Sequence, residues 1–274
     1  MKKIRILAIM LIIPLVLSLA ACKKAPTKEK SENPYELYKA AEEKTYGLND
    51  VTTIQKVVVN MAISMSGLDI TLKTTTSSSC KIKDLLKPDM MMEVHQTQTV
   101  EIMGSAETTK TEIYLDKDNI YFSQDNDPYI VLSRDSEEAA PVNEALDELT
   151  KASGSELTED MFKNAKVTKE TDGSCTIELT LTNEQLLKLV GDNIDSALAA
   201  MDEIGAQNVS YDFSDVNVTI SIDPDGYLVE VQVDCIMNMD MTIQGQKATS
   251  KNKMSTSAKY TDIGKPVEIT IPEA

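Results

Sequence analysis

The sequence predicts an α+β fold: a curved antiparallel β-sheet, or incomplete β-barrel, with helices covering its concave face. The first observation is a long alternating run. From Tyr227 to Ile243, apolar and polar positions alternate with the period of a strand that has one buried face. At roughly 3.3 Å per residue such a strand spans about 55 Å, so the sheet that holds it has to curve.

Short turns that preserve the apolar phase are the second observation. One turn of four residues places Leu115 opposite Ile120, and a second places Ile222 opposite Tyr227. In each pair of runs the same face stays apolar on both sides of the turn. The pattern predicts hairpins of an antiparallel sheet that is apolar on one side.

Helical patterns that interrupt the strands are the third observation, at residues 33–48, 136–152, 158–165 and 183–204. Pro34 suits a first helical turn and Gly47 suits a helix end. The last helix opens on a capping box, because Thr182 precedes Gln185 by three residues. Its apolar stripe begins with Leu187, Val190 and Ile194. We find no linker that would divide residues 34–274, and therefore expect one domain.

The first 33 residues have a different character. Residues 1–21 carry three basic residues followed by an apolar run, which is typical of a secretory signal. Leu19, Ala20, Ala21 and Cys22 resemble the bacterial lipobox, in which the cysteine thiol receives a diacylglycerol. Residues 22–33 are polar and predict a flexible tether. We therefore expect a lipoprotein anchored through Cys22 on the extracytoplasmic side of the cell membrane.

The charge balance narrows the classes of partner. The chain carries 27 basic and 44 acidic residues, a net charge of −17, which becomes −20 without the three basic residues of the signal. So acidic a surface argues against nucleic-acid binding and against close docking onto anionic lipid. A protein partner stays unidentified.

Catalytic and metal-binding chemistry finds little support in the residue pattern. His95 is the only histidine, and its position in the polar phase of a strand predicts a solvent-facing side chain rather than a base or a ligand. Cys80, Cys175 and Cys235 take apolar phases, which favours buried reduced thiols, although one internal disulfide stays open. We expect no metal, no cofactor and no enzymatic activity.

An apolar face rich in methionine is the strongest functional signal. Methionine is unbranched and polarizable, and it suits surfaces that accommodate variable apolar partners, although it also fills gaps in ordinary cores. The chain has no tryptophan and three phenylalanines to fill space. We therefore predict a cavity lined by Val59, Met61, Ile63, Met65, Met90, Met92, Val231, Val233, Cys235, Met237, Met239, Met241, Leu187, Val190 and Ile194.

Several stretches resemble a known family. Residues 81–94 (KIKDLLKPDMMMEV), 111–122 (TEIYLDKDNIYF), 222–231 (IDPDGYLVEV) and 261–272 (TDIGKPVEITIP) are similar to LolA/LppX-type lipoproteins of Gram-positive bacteria. The resemblance implies a half-barrel with helices plugging a concave apolar face, which in better-known relatives holds lipid or a lipidated protein. The chain departs from that pattern at Asp127–Ile130, where an aromatic often follows the preceding strand.

Three functions follow as hypotheses. The first is non-enzymatic binding of a lipid or another apolar ligand, such as an acyl chain, in the half-barrel. The second is a surface interaction or regulatory lipoprotein with a solidly packed interior and a protein partner. The third, a hydrolase of cell-wall or lipid material, has the least support, because no pair of carboxylates stands out in the sequence.

Overall fold

The structure is a computed structural model of the 274-residue chain. It describes residues 33–65, 67–85, 87, 89–140, 142, 143, 146, 157–190, 206–243 and 245–273. The predicted signal and most of the predicted tether therefore lie outside the described residues. So do most of the predicted helix 136–152 and residues 191–204 of the predicted helix 183–204.

Within the described residues, eleven antiparallel strands form one sheet that does not close into a barrel. Its order is β6-β5-β4-β3-β2-β1-β11-β10-β9-β8-β7. The strands are β1 (Val51–Met65), β2 (Leu68–Lys83), β3 (Met91–Ile102), β4 (Ser105–Leu115), β5 (Asn119–Gln124), β6 (Ile130–Ser133), β7 (Lys166–Lys169), β8 (Cys175–Leu181), β9 (Ala206–Ile222), β10 (Leu228–Ile243) and β11 (Gln246–Thr261). The predicted curved antiparallel sheet is confirmed.

Two meanders make up this sheet, and they meet at its centre. Strands β1 to β6 run outward to one edge, and β7 to β11 run inward from the other. The junction is the pairing of β1 with β11, which continues without a register shift from Thr52 and Thr261 to Met65 and Ala248. The first and last strands of the sheet therefore hold its two halves together.

One face of the sheet, called here the inner face, carries the core. Strand register places Val51, Ile82, Val94 and Ile220 on this face, and all four are buried. These side chains lie toward one end of the long strands, the core end. The opposite end, where the β1–β2, β3–β4 and β10–β11 turns lie, is called the turn end.

Helix α1 (Pro34–Tyr46) covers part of the inner face at the core end. Pro34 occupies the first turn, Asn33 Oδ1 accepts the Tyr35 N–H at 2.9 Å, and Gly47 caps the C-terminal end, which confirms the sequence prediction. The Tyr38 and Ala41 side chains are buried in the core. The hydrophobic face of α1 therefore packs on the sheet, where it contacts β9 and β10.

The connection between the edge strands β6 and β7 also contributes to the core. Its described residues include the 3-10 helices Glu137–Ala139 and Glu159–Phe162. The second stands where sequence spacing predicted a longer helix at 158–165, whereas residues 140, 142, 143 and 146 of the predicted helix 136–152 are α-helical. The Phe162 ring lies 5.5 Å from the Tyr35 ring and 5.3 Å from the Tyr38 ring, measured between centroids. These contacts fix the connection against α1 and so bring it onto the inner face.

Two predicted residue pairs, one in each of two hairpins, can be compared directly with the structure. The pairing of Leu115 with Ile120 is confirmed. The pairing of Ile222 with Tyr227 is wrong: Ile222 pairs with Leu228, and a register shift between Leu228 and Glu230 restores the phase. A β-bulge of this kind adds one residue to a strand, so the core-facing positions change from Leu228 before the bulge to Val231 and alternate residues after it.

The capping box at the start of the helical residues 183–190 is confirmed. Gln185 Oε1 accepts the Thr182 N–H at 2.9 Å, and Thr182 Oγ1 accepts the Gln185 N–H at 3.2 Å. Leu186 and Leu189 are the buried side chains of this segment, and the predicted Leu187 and Val190 are half-buried. The most buried stripe is therefore rotated by one residue from the predicted stripe.

Candidate functional site

The candidate site is the inner face toward the turn end of the sheet. The strand register places the predicted Val59, Met61, Ile63 and Met65 of β1 on this face. The predicted residues of β10 lie on the same face, separated from β1 by the single strand β11: Val231, Val233, Cys235, Met237, Met239 and Met241. The structure thus brings ten of these side chains onto one surface.

The exposure of this surface differs between the two strands. Val59, Met61, Ile63 and Met65 are all half-buried, although each is apolar. On β10, Met237 and Met241 are half-buried, whereas Cys235 and Met239 are only 9% and 5% exposed. Apolar side chains along β1 therefore retain contact with solvent on the face that a ligand would have to cover.

The other predicted lining residues lie apart from this surface. Met90 and Met92 are 6% and 4% exposed and belong to the core cluster, where Met92 pairs with Ile82 and Leu115 at the core end. Leu187 and Val190 pack against the same cluster. Ile194 lies outside the described residues. The role of the predicted set as a cavity lining stays a prediction.

The apolar rows of β1 and β10 are called here the β1 wall and the β10 wall. Strand β11 lies between them and forms the floor of the face. Its inner-face residues are small or polar over most of its length: Ala248, Ser250, Asn252, Thr256 and Ala258, with Met254 between them. The cross-strand neighbours on β1 and β10 are longer side chains, such as Met61 and Met237 beside Asn252. The short side chains between these two rows are covered, since Ala248, Ser250, Asn252 and Ala258 are all buried.

Asn252 is the chemically distinctive residue of this floor. Its side chain is 0% exposed, and Ser250 Oγ donates to Asn252 Oδ1 at 2.8 Å. The Asn252 Nδ2 group has no hydrogen-bond partner in the part of the chain that the structure describes. Sequence reasoning missed this residue, because β11 has few apolar residues and its inner phase therefore gives a weak signal.

A row of polar residues crosses the inner face of the N-terminal half, between the core end and the turn end. Gln55, Ser78, Gln96 and Thr111 are successive partners across β1 to β4. Gln55, Gln96 and Thr111 are 3%, 6% and 3% exposed. A buried polar row thus lies beside the apolar surface, and the sequence analysis did not single it out.

The outer face carries the single histidine. His95 Nε2 lies 2.8 Å from Glu93 Oε1, and His95 Nδ1 lies 3.6 Å from Glu112 Oε1. The Tyr129 hydroxyl donates to Glu112, and burial followed by this hydrogen bond raises the pKa of Tyr129 well above its usual value. The His95 side chain is 40% exposed, so it faces solvent as predicted while taking part in a network of acidic and phenolic groups.

A cleft of about 400 Å³ opens at the turn end, and most of its lining residues point to the outer face. Lys73, Lys251 and Lys253 line it together with Glu101 and Met103. Register explains the clustering, since Asn60 of β1 lies between Lys73 of β2 and Lys253 of β11. The cleft is distinct from the inner-face surface, although Met61 contributes to its lining.

Two further properties bear on the chemistry of the described residues. No group of three or more histidine, cysteine, aspartate or glutamate side chains among them is placed to hold a metal ion. Cys80, Cys175 and Cys235 are buried and unpaired, so no disulfide joins them. In the same part of the chain, no helix combines the length and apolar character needed to cross a membrane.

Comparison with known proteins places the chain in a family without assigning an activity. Similar solved structures include a beta-barrel-like protein of the DUF1849 domain from Brucella abortus, with 8% identity over 77% of this chain and 98% of that chain. A DUF1329 family protein from Desulfovibrio piger shows 13% identity over 86% and 95% of the respective chains. The TM-score is 0.19 in both cases, too low to support an argument.

A search among curated proteins found no match to this sequence. A sequence profile, in contrast, matches nearly all of the described domain, over residues 33–274. The chain belongs to the family of unknown function DUF6612.

Proposed function

We propose that this protein binds a lipid or another apolar ligand along the inner face of its open sheet, without catalysing a reaction. The observation that carries the proposal is the row Val59, Met61, Ile63 and Met65, which is apolar yet half-buried. Burying such side chains is favourable by roughly 25 cal/mol per Å² of apolar area removed from water. A ligand that covers the row gains this free energy, and the sheet supplies it with a preformed surface.

The length and composition of the face support an elongated ligand. The apolar side chains of β1 and β10 follow both sides of β11, so an acyl chain that lies over β11 would contact both rows. Methionine side chains adapt to guests of variable shape because their torsions are soft.

We further propose that the protein is a lipoprotein held at the extracytoplasmic side of the cell membrane through Cys22. Support comes from the basic and apolar residues 1–21, the lipobox-like residues 19–22, and the resemblance of residues 81–94 and 222–231 to LolA/LppX-type lipoproteins. An anchored binding domain would meet membrane-derived ligands at high local concentration, whereas a freely diffusing one would not.

The test uses residues 23–274, which include every helix and strand that the structure describes. The purified protein is examined by native mass spectrometry for co-purifying lipid and by displacement of an apolar fluorescent dye. We expect bound lipid and saturable displacement. The absence of both would overturn the proposal.

A matched pair of variants locates the binding surface. Val59 and Val58 are neighbours on β1 that point to opposite faces, and both are half-buried. Replacing valine by threonine keeps the β-branched shape and adds a hydroxyl group that is costly to cover with an apolar ligand. We expect Val59→Thr to weaken dye binding several-fold and Val58→Thr to leave it unchanged.

A protein-interaction lipoprotein is the alternative, and one observation favours it. Cys235 and Met239 are almost fully buried, so this part of the β10 wall is already covered. If the whole face were packed in this way, neither Val59→Thr nor Val58→Thr would alter dye binding, and no lipid would co-purify. That outcome would favour the alternative over ligand binding.

A further inference from the structure

We infer that Asn252 selects for ligands that carry a hydrogen-bond acceptor oxygen, such as the carbonyl oxygen of an ester or a carboxylate, next to their apolar chain. The inference rests on the proposed ligand-binding function and specifies the class of ligand. It starts from Asn252 Nδ2, a buried donor with no partner in the described part of the chain. Buried polar groups are rarely left unpaired, so such a donor calls for an explanation.

The position of Asn252 points to a ligand as the missing partner. Its cross-strand neighbours are Met61 on one side and Met237 on the other, and Met254 is the next inner-face residue along β11. None of these thioethers lies within hydrogen-bond distance of Nδ2. The donor therefore lies beneath the middle of the apolar surface, and a guest chain reaches it where the flexible Met61 and Met237 side chains move aside.

The hydrogen bond from Ser250 determines which kind of partner Asn252 needs. Ser250 Oγ donates to Asn252 Oδ1 at 2.8 Å, and Ser250 is itself 6% exposed. This bond engages the amide oxygen and leaves the amide N–H group as the available function. An N–H group pairs with an acceptor, so a pure hydrocarbon would leave it unsatisfied, whereas an ester or carboxylate oxygen would accept from it.

The arrangement discriminates between otherwise similar guests. Every apolar chain gains from contact with Met61 and Met237, which gives affinity without selectivity. Only a chain with an acceptor oxygen at the right position also satisfies the Asn252 donor. A site with a buried unpaired donor rejects an analogue without that oxygen. The expected ligands are acylated molecules or fatty acids rather than hydrocarbons.

The experiment compares two probes on residues 23–274: methyl laurate, which has an ester carbonyl, and pentadecane, an alkane with the same number of non-hydrogen atoms. Dissociation constants are measured by dye displacement. Because the alkane is also the more hydrophobic probe, the quantity compared is the ratio of the pentadecane to the methyl laurate dissociation constant. One hydrogen bond contributes about 0.5–1.5 kcal/mol, so we expect this ratio to be roughly 2- to 13-fold higher in the unmodified protein than in Asn252→Leu. Equal ratios in the two proteins would overturn the inference and leave the proposed function standing.

The variant Asn252→Leu removes the donor and introduces an apolar side chain of similar size. We expect it to bind pentadecane at least as tightly as the unmodified protein does and to lose the preference for methyl laurate. The matched control is Asn60→Leu, since Asn60 is exposed on the outer face of the neighbouring strand and pairs with Lys253. The control should retain the preference.

Other outcomes are equally decisive. An unchanged preference in Asn252→Leu would refute the role of Asn252 while dye binding still supported the proposed function. If neither probe displaced the dye, and no lipid co-purified, both proposals would fail together. Should Asn252→Leu not fold, Asn252→Val tests the same loss of donor with a β-branched residue suited to a strand.

Discussion

Thr45 Oγ1 accepts the backbone N–H of Leu228 at 2.8 Å and donates to the carbonyl of Ala41, also at 2.8 Å. Thr45 is 0% exposed and Leu228 is 2% exposed. One hydroxyl group therefore joins the last turn of α1 to the first residue of β10. Because Leu228 lies between the β9–β10 turn and the β-bulge that follows it, the same bond also stabilises the register of β10 against β9.

Thr45→Val should destabilise the protein by about 1–3 kcal/mol, because it keeps the side-chain shape but leaves the buried Leu228 N–H unsatisfied. Urea unfolding measures the loss, and hydrogen exchange at the Leu228 amide should accelerate. Thr45→Ser is the control: it retains the hydroxyl and should keep that amide protected. Equal exchange rates in the two variants would contradict this role of Thr45.

Asp50 joins the C-terminal tail and the end of β2 to the start of β1. Its Oδ2 accepts the Val267 N–H at 2.9 Å, and its Oδ1 accepts the Asp84 N–H at 3.1 Å. These backbone hydrogen bonds, that of Val267 first, lower the pKa of Asp50. The carboxylate therefore stabilises the fold above its unfolded pKa, and this contribution is lost as pH falls through the lower folded pKa.

Asp50→Asn should lower the free energy of unfolding by about 1–3 kcal/mol at pH 7, because the new amide N–H group would face a backbone N–H donor. At pH 2 the loss should be much smaller, since the wild-type carboxylate has by then lost most of its stabilising charge. Unfolding free energies at the two pH values test this difference. Asp89→Asn serves as the control, since Asp89 is exposed, and should change stability by less than about 0.5 kcal/mol. A penalty for Asp50→Asn that is the same at both pH values would refute the linkage.

The three buried cysteines should resist modification in the folded protein. Burial raises the pKa of the Cys80 thiol to about 12 and that of Cys235 to about 11, and it also raises the pKa of Cys175. At pH 8 the thiolate, which is the reactive form, is then on the order of 10⁻³ of Cys235 or less. We expect a thiol reagent to label none of them before unfolding and all three after it.

A positive control for this experiment is Thr249→Cys, which places a thiol at an exposed position of β11. This thiol should react within minutes under the same conditions. Rapid labelling of Cys80 in the native protein would show that the core end opens far more readily than its burial indicates.

Alkaline pH should unfold the protein through a pair of tyrosines. The Tyr46 and Tyr260 hydroxyl oxygens lie 3.4 Å apart, and burial raises the pKa of both phenols. Their neutral forms stabilise the fold below the unfolded pKa of about 10, and this contribution is lost as pH rises above it. Tyr46→Phe removes one ionisable group and should raise the pH at the midpoint of alkaline unfolding.

The matched control is Tyr227→Phe, because Tyr227 is half-buried and lies on the β9–β10 turn, with Lys44 Nζ 4.1 Å from its ring centroid. That substitution should leave the alkaline midpoint in place. Phenol absorbance recorded alongside circular dichroism distinguishes ionisation before unfolding from ionisation caused by it.

Much of the architecture was predictable because strand and helix signals are local. Alternation over Tyr227–Ile243 predicted β10 to within one residue of its start, and the turn chemistry predicted the Leu115–Ile120 pair. The Ile222–Tyr227 pair was wrong, because the sequence has no pattern that distinguishes a regular hairpin from one with a bulge after Leu228. Assigning the two faces of a strand by counting alternate residues fails wherever a β-bulge adds one residue to the strand.

The candidate site was predictable only in its apolar part. Periodicity identified Met61 and Met237 as inner-face residues, but it could not show that a single strand, β11, separates them. Strand partners depend on topology, which residue spacing alone does not encode. Asn252 was missed for a related reason: a polar residue in a weakly apolar strand is notable only when its neighbours across the sheet are known.

The pairing of β1 with β11 has a consequence for how the molecule is made. A chain that is synthesised from its N-terminus completes β1 early, yet the partner of Thr52 is Thr261. Until β11 has been made, β1 presents an open edge of unpaired backbone groups, which is the usual starting point for aggregation. Contacts so distant in sequence also slow folding. The incompletely synthesised chain is therefore the stage at which this protein most needs a chaperone.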